Sequence, residues 1–277
     1  MRVLVLGASG FLGGHVYRRL KAEEKFSVLG TCFENSSNNE LTMLNINNGD
    51  EVKNLLTQFK AEVIIWTLMS RGNEQELIDK GLKNVLNNIT PNQKLIFVST
   101  NAVFSKREGN YSEEDMPAYD KNPNAIGLYG NAKIDGENLI KDHKNYIIIR
   151  PGAIYGQDVR GNWDKRISLL IDMIKSKQQV IRTKNLYNTF IKVEELADAI
   201  LELTEKEFTG IIHLGPESRE SYFDYYVKMA KSLELDESLI TADYMDEAYA
   251  KLMGIGLDNS ISTSKCRNII SVQFTNP

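Results

Sequence analysis

The stretch that decides the fold is residues 3–13, which reads VLVLGASGFLG. An apolar strand pattern runs directly into three glycines and then into an amphipathic helix pattern. Gly7 suits a tight turn, Gly10 allows a pyrophosphate to approach the backbone, and Gly13 allows close helix packing. The new helix would direct its free N–H groups and positive dipole end at phosphate oxygens. The stretch therefore predicts a dinucleotide-binding turn whose candidate contacts are Gly7, Ser9, Gly10, Phe11, Leu12 and Gly13.

Short β-branched runs alternate with amphipathic stretches along the first two-thirds of the chain. This alternation predicts an α/β fold, a Rossmann-type doubly wound parallel sheet with a smaller C-terminal substrate-binding lobe. The predicted domains are an NAD(P)-binding Rossmann domain at 1–155, to which 180–205 returns, and the smaller lobe at 156–277. The predicted strands are 3–6, 27–31, 63–66, 95–99, 146–150 and 210–214. The predicted helices are 11–24, 50–59, 74–89, 126–141, 167–174 and 222–233, with another starting near 193 and a polar loop at 35–39.

Composition excludes several classes of function. The net charge of −4 leaves no basic footprint for nucleic acid. The longest apolar run, 63–69, is far shorter than the roughly 20 residues that a membrane-spanning helix needs. Neither the histidines nor Cys32 and Cys266 have the spacing of metal ligands. We therefore expect a cytoplasmic protein with two reduced thiols, no metal site and no membrane partner.

A tyrosine and a lysine four residues apart are candidates for proton transfer. Tyr129 and Lys133 lie in a helical pattern, where this spacing puts both side chains on one face. A nearby ammonium favours a phenolate, so Lys133 is expected to lower the tyrosine pKa from its usual value of about 10. Lys133 could also bond the nicotinamide ribose. Thr100 follows a predicted strand, and we expect it to bond a substrate carbonyl oxygen and orient Tyr129.

Taken in order, these motifs resemble the extended short-chain dehydrogenase/reductase family. The resemblance also includes 150–156, which reads RPGAIYG, and it implies that Pro151 lies beside the nicotinamide and that Tyr129 and Lys133 contact the cofactor. Within that family, VSTNAVF at 98–104 and the pair Asn162 and Trp163 are similar to the dTDP-4-dehydrorhamnose reductase group. The likeness implies NAD(P)-dependent reduction of a keto group on a nucleotide-linked deoxysugar.

The resemblance also implies contacts for the substrate and the cofactor. Asn162 would touch the sugar nucleotide. The cofactor is NADP or NAD, and the choice stays open: Glu34 could bind the ribose 2′-hydroxyl of NAD, whereas Arg18 and Arg19 lie too far along the first helix to argue for NADP. The chain could also form a homodimer. Three arginines could clamp a diphosphate through paired N–H bonds: Arg160, Arg166 and Arg182.

Departures from the group keep two other functions open. Residues 185–189, NLYNT, stand where the group carries an Asp-Gln-x-Gly motif, and its helix-borne asparagine is replaced near Ile78 or Asp79. Asn101 and Ala102 stand where the family's dehydratases carry an acidic pair, which argues against dehydration. The alternatives are a sugar-nucleotide epimerase and a non-catalytic, cofactor-binding regulatory protein.

Overall fold

The main body of the protein is a parallel sheet with helices on both faces. The computed structural model describes residues 1–34, 40–70, 72–106, 108–253 and 256–277, and the polar loop predicted at 35–39 lies outside them. The described strands are, in chain order, β1 (Arg2–Leu6), β2 (Ser27–Cys32), β3 (Thr42–Met43), β4 (Val63–Trp66), β5 (Lys94–Val98), β6 (Tyr146–Pro151), β7 (Ala153–Tyr155), β8 (Val180–Thr183), β9 (Tyr187–Asn188), β10 (Phe190–Lys192), β11 (Gly210–Leu214), β12 (Glu220–Ser221), β13 (Ile240–Asp243) and β14 (Asp258–Asn259).

Helical segments connect these strands. They are α1 (Phe11–Lys21), α2 (Gly49–Phe59), α3 (Glu74–Glu76), α4 (Lys83–Leu86), α5 (Ala125–Ile140), α6 (Lys165–Lys175), α7 (Val193–Glu205), α8 (Tyr222–Ser232) and α9 (Glu247–Leu252), with 3-10 turns at Asn101–Val103, Glu237–Leu239 and Cys266–Asn268. A π turn, Leu77–Leu82, joins α3 to α4 and interrupts the single helix predicted over 74–89.

The main sheet has the strand order β11-β6-β5-β4-β1-β2-β3, with parallel pairing throughout. The predicted doubly wound α/β fold is therefore confirmed. β1 has β2 on one side and β4 on the other, so the strand order reverses beside β1. Ligands in such folds bind outside the carboxyl ends of the strands at this reversal.

Alternating strand residues build two separate cores, because successive side chains of a strand point to opposite faces. Val3 and Val5 pack with α1 and α7 on one face. Leu4 and Leu6 pack with α2, the π turn and α5 on the other face. This double burial explains why the strands read as near-continuous apolar runs.

The structure corrects two predicted boundaries between the body and the lobe. β11, predicted to lie in the smaller lobe, is an edge strand of the main sheet. It pairs in parallel with β6, and its apolar residues extend the two cores of the sheet. Of the segment predicted to return at 180–205, α7 does pack on α1, but β8 stays in the lobe and pairs with β13. The lobe core forms around α6 and α8, where the rings of Phe190 and Tyr225 stack at 4.0 Å.

Candidate active site

The glycine turn begins where β1 ends, at the reversal of strand order. Gly7 has a φ of 92°, which is in the left-handed region that favours glycine. A Cβ at Gly13 would lie 2.1 Å from the Gly7 carbonyl oxygen, so α1 packs against the turn as closely as the backbone allows. The geometry is that of a tight strand-to-helix turn, as the sequence predicts.

The N-terminus of α1 fits a phosphate group. Gly10 is the N-cap residue, no side chain accepts a hydrogen bond from the first-turn N–H groups, and this turn carries no acidic residue. Side chains cap α2, α5 and α6 instead. A cavity of about 400 Å³ lies over this end of the helix. Ser9, Gly10 and Phe11 line one side of it, and residues between Asp158 and Lys165 line the other. Uncapped N–H groups facing a cavity suit the pyrophosphate of a dinucleotide.

Lys133 lies at the same edge of the sheet as the glycine turn. Its Nζ donates to the carbonyl oxygens of Val98, at 3.3 Å, and Leu68, at 3.4 Å. The backbone nitrogen of Leu68 in turn lies 3.3 Å from the position that a Cβ would take at Gly7. Leu68 therefore lies between the lysine and the glycine turn.

Tyr129 is half-buried on α5, and the Lys133 ammonium lies 5.5 Å from the centre of its ring. Burial raises the pKa of Tyr129 above its ordinary value of 10.0, and the Glu74 carboxylate raises it further. The predicted lowering of this pKa by Lys133 is therefore wrong in direction. The main physical reason is burial of the phenol, and the Glu74 carboxylate, 2.9 Å from Lys133 Nζ, adds to the effect.

Thr100 caps the 3-10 turn that follows β5. Its Oγ1 accepts the N–H of Ala102 at 3.1 Å, which leaves the hydroxyl proton free to donate to another oxygen. α5 approaches this turn closely, since a Cβ at Gly130 would lie 2.5 Å from the Ala102 carbonyl oxygen. Thr100 and Tyr129 are thus held on two backbone segments in direct contact.

A loop at 157–163 folds back over the glycine turn. His15 Nε2 bonds the Gln157 carbonyl oxygen at 2.8 Å, and Val159 lies against Gly14. Asp158 holds the loop together by accepting the backbone N–H groups of Arg160 and Asn162 at 2.8 and 2.9 Å. Arg160 and Asn162, predicted to bind substrate, therefore line the cavity above the phosphate turn.

The other predicted contact residues have separate environments. Arg166 donates to the Ile154 carbonyl oxygen and to Asp164, and Arg182 lies over the ring of Tyr226 at 4.1 Å. Both guanidinium groups have partners within the chain. Pro151 is buried at the end of β6, and Glu34 is exposed beyond β2.

The profile of the RmlD substrate binding domain family matches residues 1–253. The chain belongs to this family. A hypothetical dTDP-4-dehydrorhamnose reductase from Sulfolobus tokodaii has a similar structure, with a TM-score of 0.81 and 25% identity over 100% of this chain and 97% of that one. The predicted resemblance to the extended short-chain dehydrogenase/reductase family is confirmed.

Two further relatives differ in what their names describe. A dTDP-4-dehydrorhamnose reductase from Bacillus anthracis, solved in complex with NADP, shares the fold with a TM-score of 0.77 and 19% identity over 99% of this chain and 95% of that one. Methionine adenosyltransferase 2 subunit beta from Xenopus laevis is 26% identical over 254 residues, which cover 86% of this chain and 73% of that protein.

Departures from the RmlD-type motifs have structural explanations. Ile78 is fully buried against Phe97 in the sheet core, and Asp79 is exposed and bonded to Gln75. Asn101, in place of an acidic residue, is buried and donates to Asn188 and to the Asn259 carbonyl oxygen, both at 2.7 Å. These amides connect the end of β5 to the C-terminal segment.

Sequence reasoning missed Glu74 and the position of the 157–163 loop. The signal for Glu74 was an acidic residue shortly after a buried strand, but nothing local shows that it meets Lys133. Cys32 and Cys266 are both free and buried. Across the described ranges, no cluster of three or more His, Cys, Asp or Glu side chains could hold a metal ion. Within the same part of the chain, no helix has the length and apolar character to cross a membrane.

Proposed function

We propose that the protein is an NAD(P)H-dependent reductase of a keto group on a nucleotide-linked deoxysugar. The observation that carries this proposal is the Tyr129–Lys133 pair on α5, whose lysine bonds Leu68 beside an uncapped, glycine-rich helix N-terminus. Membership of the RmlD substrate binding domain family supports the substrate class. The likeness to reductase structures supports the reaction.

The chain's own residues supply binding, orientation and a proton. The α1 N-terminus holds the cofactor phosphates, and a bound nicotinamide supplies the hydride that adds to the carbonyl carbon. Tyr129 donates its phenolic proton to the carbonyl oxygen, so the C=O group becomes a secondary alcohol. Thr100 donates a hydrogen bond to the same oxygen, and solvent then reprotonates Tyr129.

The raised pKa of Tyr129 favours a reductase over an epimerase. An epimerase that begins by oxidising the sugar needs a base to accept the hydroxyl proton, and therefore a phenolate. Burial and Glu74 raise the pKa of Tyr129 and so disfavour the phenolate further. A protonated phenol suits the reductive direction, because an alkoxide forming on the sugar is a far stronger base than a phenolate.

We also propose that NADPH is the preferred cofactor. A second cavity, of about 460 Å³, borders Ala8 and Ser9, and its charged lining is Arg18, Lys21, Arg160 and one carboxylate, Glu40. Arg18 thus lines a cavity beside the glycine turn, although its place along the first helix gave no argument for NADP from the sequence. It lies above Gly30 of β2, where a Cβ would meet Ala8 at 2.7 Å. The cofactor's adenosine ribose lies near the ends of the first two strands in this fold, and cations there suit a 2′-phosphate.

The cofactor preference is tested by titrating NADPH and NADH against the wild type and Arg160→Gln. Loss of one guanidinium–phosphate contact should weaken NADPH binding by about tenfold. NADH binding should stay nearly constant. Arg182→Gln, which removes an arginine from the lobe surface, is the matched control. Equal losses for both cofactors would contradict a 2′-phosphate contact.

The reductase proposal is tested with Tyr129→Phe and a panel of nucleotide-linked keto sugars. Loss of the general acid should reduce kcat by roughly 10²- to 10⁴-fold while NADPH affinity is retained. NADPH oxidation at 340 nm measures the rate, and fluorescence measures binding. Net consumption of NADPH by the wild type would exclude an epimerase. Equal rates for the variant and the wild type would contradict the assigned role.

A second candidate function is cofactor binding without turnover, as one subunit of a larger assembly. The observation that favours it is the ion pair between Lys133 and Glu74. In this pair, the ammonium that a reductase site needs is already bound to a carboxylate of the same chain. The relatives named as subunit beta of methionine adenosyltransferase 2 add support. NADPH binding by wild type and Tyr129→Phe alike, with no NADPH consumption across the panel, would favour this function.

A further inference from the structure

A buried carboxylate lies beside the proton-transfer pair. Glu74 is the first residue of α3, and its side chain is only 4% exposed. Its Oε1 lies 2.9 Å from Lys133 Nζ, and its Oε2 accepts the N–H of Ser70 at 2.7 Å. Asn73 caps the helix by accepting the N–H of Glu76. The carboxylate therefore lies between the Ser70 backbone and the Lys133 ammonium.

Lys133 Nζ has three oxygen neighbours. It donates to the carbonyl oxygens of Val98 and Leu68. Glu74 Oε1 is an ion-pair partner at 2.9 Å, although it accepts no hydrogen bond from the described residues. None of the three oxygens belongs to Tyr129.

Other charged groups near this pair are engaged elsewhere. Among the described residues of the elements packed around Tyr129, each has its own partner: Glu76 contacts Lys80, Asp79 contacts Lys83, Asp135 accepts the Tyr119 hydroxyl, and Glu137 binds Arg150. The 3-10 turn Asn101–Val103 carries no titratable group, and Lys94 lies at the far end of β5. Glu74 and Lys133 therefore dominate the field at Tyr129.

We propose that Glu74 is a positioning residue that holds the Lys133 ammonium against the sheet edge and reserves Tyr129 for proton donation. This inference rests on the proposed reductase function and specifies its direction. Lys133 alone would stabilise a phenolate, whereas the neutral Lys133–Glu74 pair gives little such support. Oxidation of an alcohol, which needs the phenolate, then requires a higher pH than reduction of a carbonyl.

The experiment measures the ionisation of Tyr129 without any substrate. Tyrosinate absorbance is followed against pH, and the difference between each protein and its Tyr129→Phe counterpart isolates Tyr129. In Glu74→Gln, which keeps the shape and an acceptor for Lys133, the signal should begin about one pH unit or more below that of the wild type. Glu76→Gln, an exposed carboxylate on the same helix, is the matched control and should leave the signal unchanged.

Two outcomes would overturn the inference. The first is a Glu74→Gln signal that begins at the wild-type pH or above it. The second comes from Glu74→Gln combined with Lys133→Met, which leaves no unpaired buried charge and therefore covers the case in which the single variant does not fold. That double variant should titrate like the wild type. If the tyrosinate signal of the double variant begins at a higher pH than that of the wild type, Lys133 acts on Tyr129 independently of Glu74.

These results are separable from those on the proposed function. A shifted titration in Glu74→Gln with no turnover on any sugar would leave the role of Glu74 intact and contradict the reductase. Turnover of a keto sugar with an unshifted titration in Glu74→Gln would support the reductase and contradict the role of Glu74. With a substrate in hand, Glu74→Gln should also shift the pH profile of alcohol oxidation to lower pH, a change that a purely structural role would not produce.

Discussion

Helix α5 contributes to two buried ion pairs one turn apart, and the two are built differently. Glu137 binds Arg150 through two bonds of 2.9 and 2.6 Å, and the Ser99 hydroxyl donates to the same carboxylate at 2.6 Å. Both members are fully buried. Lys133 contacts Glu74 through one oxygen at 2.9 Å, with side chains that are 1% and 4% exposed.

The difference separates a structural cross-link from a functional pair. A guanidinium matched to a carboxylate by two bonds has one geometry, so Arg150 and Glu137 fix α5 to β6. A lysine is a point charge on a flexible stem, and Lys133 lies 5.5 Å from the ring of Tyr129, the proton donor that we propose. Burial alone therefore does not identify the functional pair. Proximity to a reactive group at the carboxyl edge of the sheet does.

The largest effect is expected from breaking the structural pair. Arg150→Met leaves Glu137 buried without its counter-ion and should lower the free energy of unfolding by about 3–5 kcal/mol. Urea denaturation followed by circular dichroism measures this change. NADPH affinity of the folded fraction should stay close to that of the wild type, because Arg150 does not line the cavities at the glycine turn.

The contrast with Lys133→Met tests the comparison directly. Lys133 makes one ionic contact instead of two, so its loss should cost less stability than the loss of Arg150. Replacing Glu137 by Gln in the Arg150→Met background should recover part of the lost stability, since the unpaired charge is removed. A larger stability loss for Lys133→Met than for Arg150→Met would contradict the division into structural and functional pairs.

Most of the framework was predictable because its signals are local. The apolar run before Gly7, the glycine spacing and the 3.6-residue pattern of α5 each lie within one segment, and the strands at 3–6, 63–66 and 210–214 are confirmed. The π turn Leu77–Leu82 was missed because its apolar residues fit an α-helical pattern. The pairing of β8 with β13 joins segments with no shared local signal.

The candidate site was predictable in its members but not in its electrostatics. Tyr129 and Lys133 are neighbours on one helix, so their spacing was informative. Glu74 follows a different strand and meets Lys133 only because β4 and β5 are adjacent in the sheet. Burial of the phenol, together with one carboxylate from a distant segment, gives the Tyr129 pKa a shift opposite to the expected one.

A smaller effect is expected from the pH dependence of stability near the Arg150–Glu137 pair. His213 is buried beside Arg150 on the neighbouring strand, and burial together with Arg150 lowers its pKa to about 3. An unfolded histidine binds a proton below about pH 6.5, so the unfolded state holds more protons between pH 6.5 and 3. Stability should therefore fall with decreasing pH in this window, by about 2 kcal/mol between pH 7 and pH 5.

The geometry of His213 explains why protonation is resisted. Nδ1 donates to the carbonyl oxygens of Tyr111 and Ser262, at 3.1 and 3.2 Å, whereas Nε2 is buried with no partner among the described residues. A proton on Nε2 would place an unpaired charge beside the Arg150 guanidinium. In His213→Asn, the amide Nδ2 can replace the Nδ1 donor, so the free energy of unfolding should depend less on pH. His143→Asn is the matched control. If the free energy of unfolding of His213→Asn falls with decreasing pH as steeply as that of the wild type, groups other than His213 cause the loss of stability in acid. The pH dependence would then not depend on the Arg150–Glu137 region.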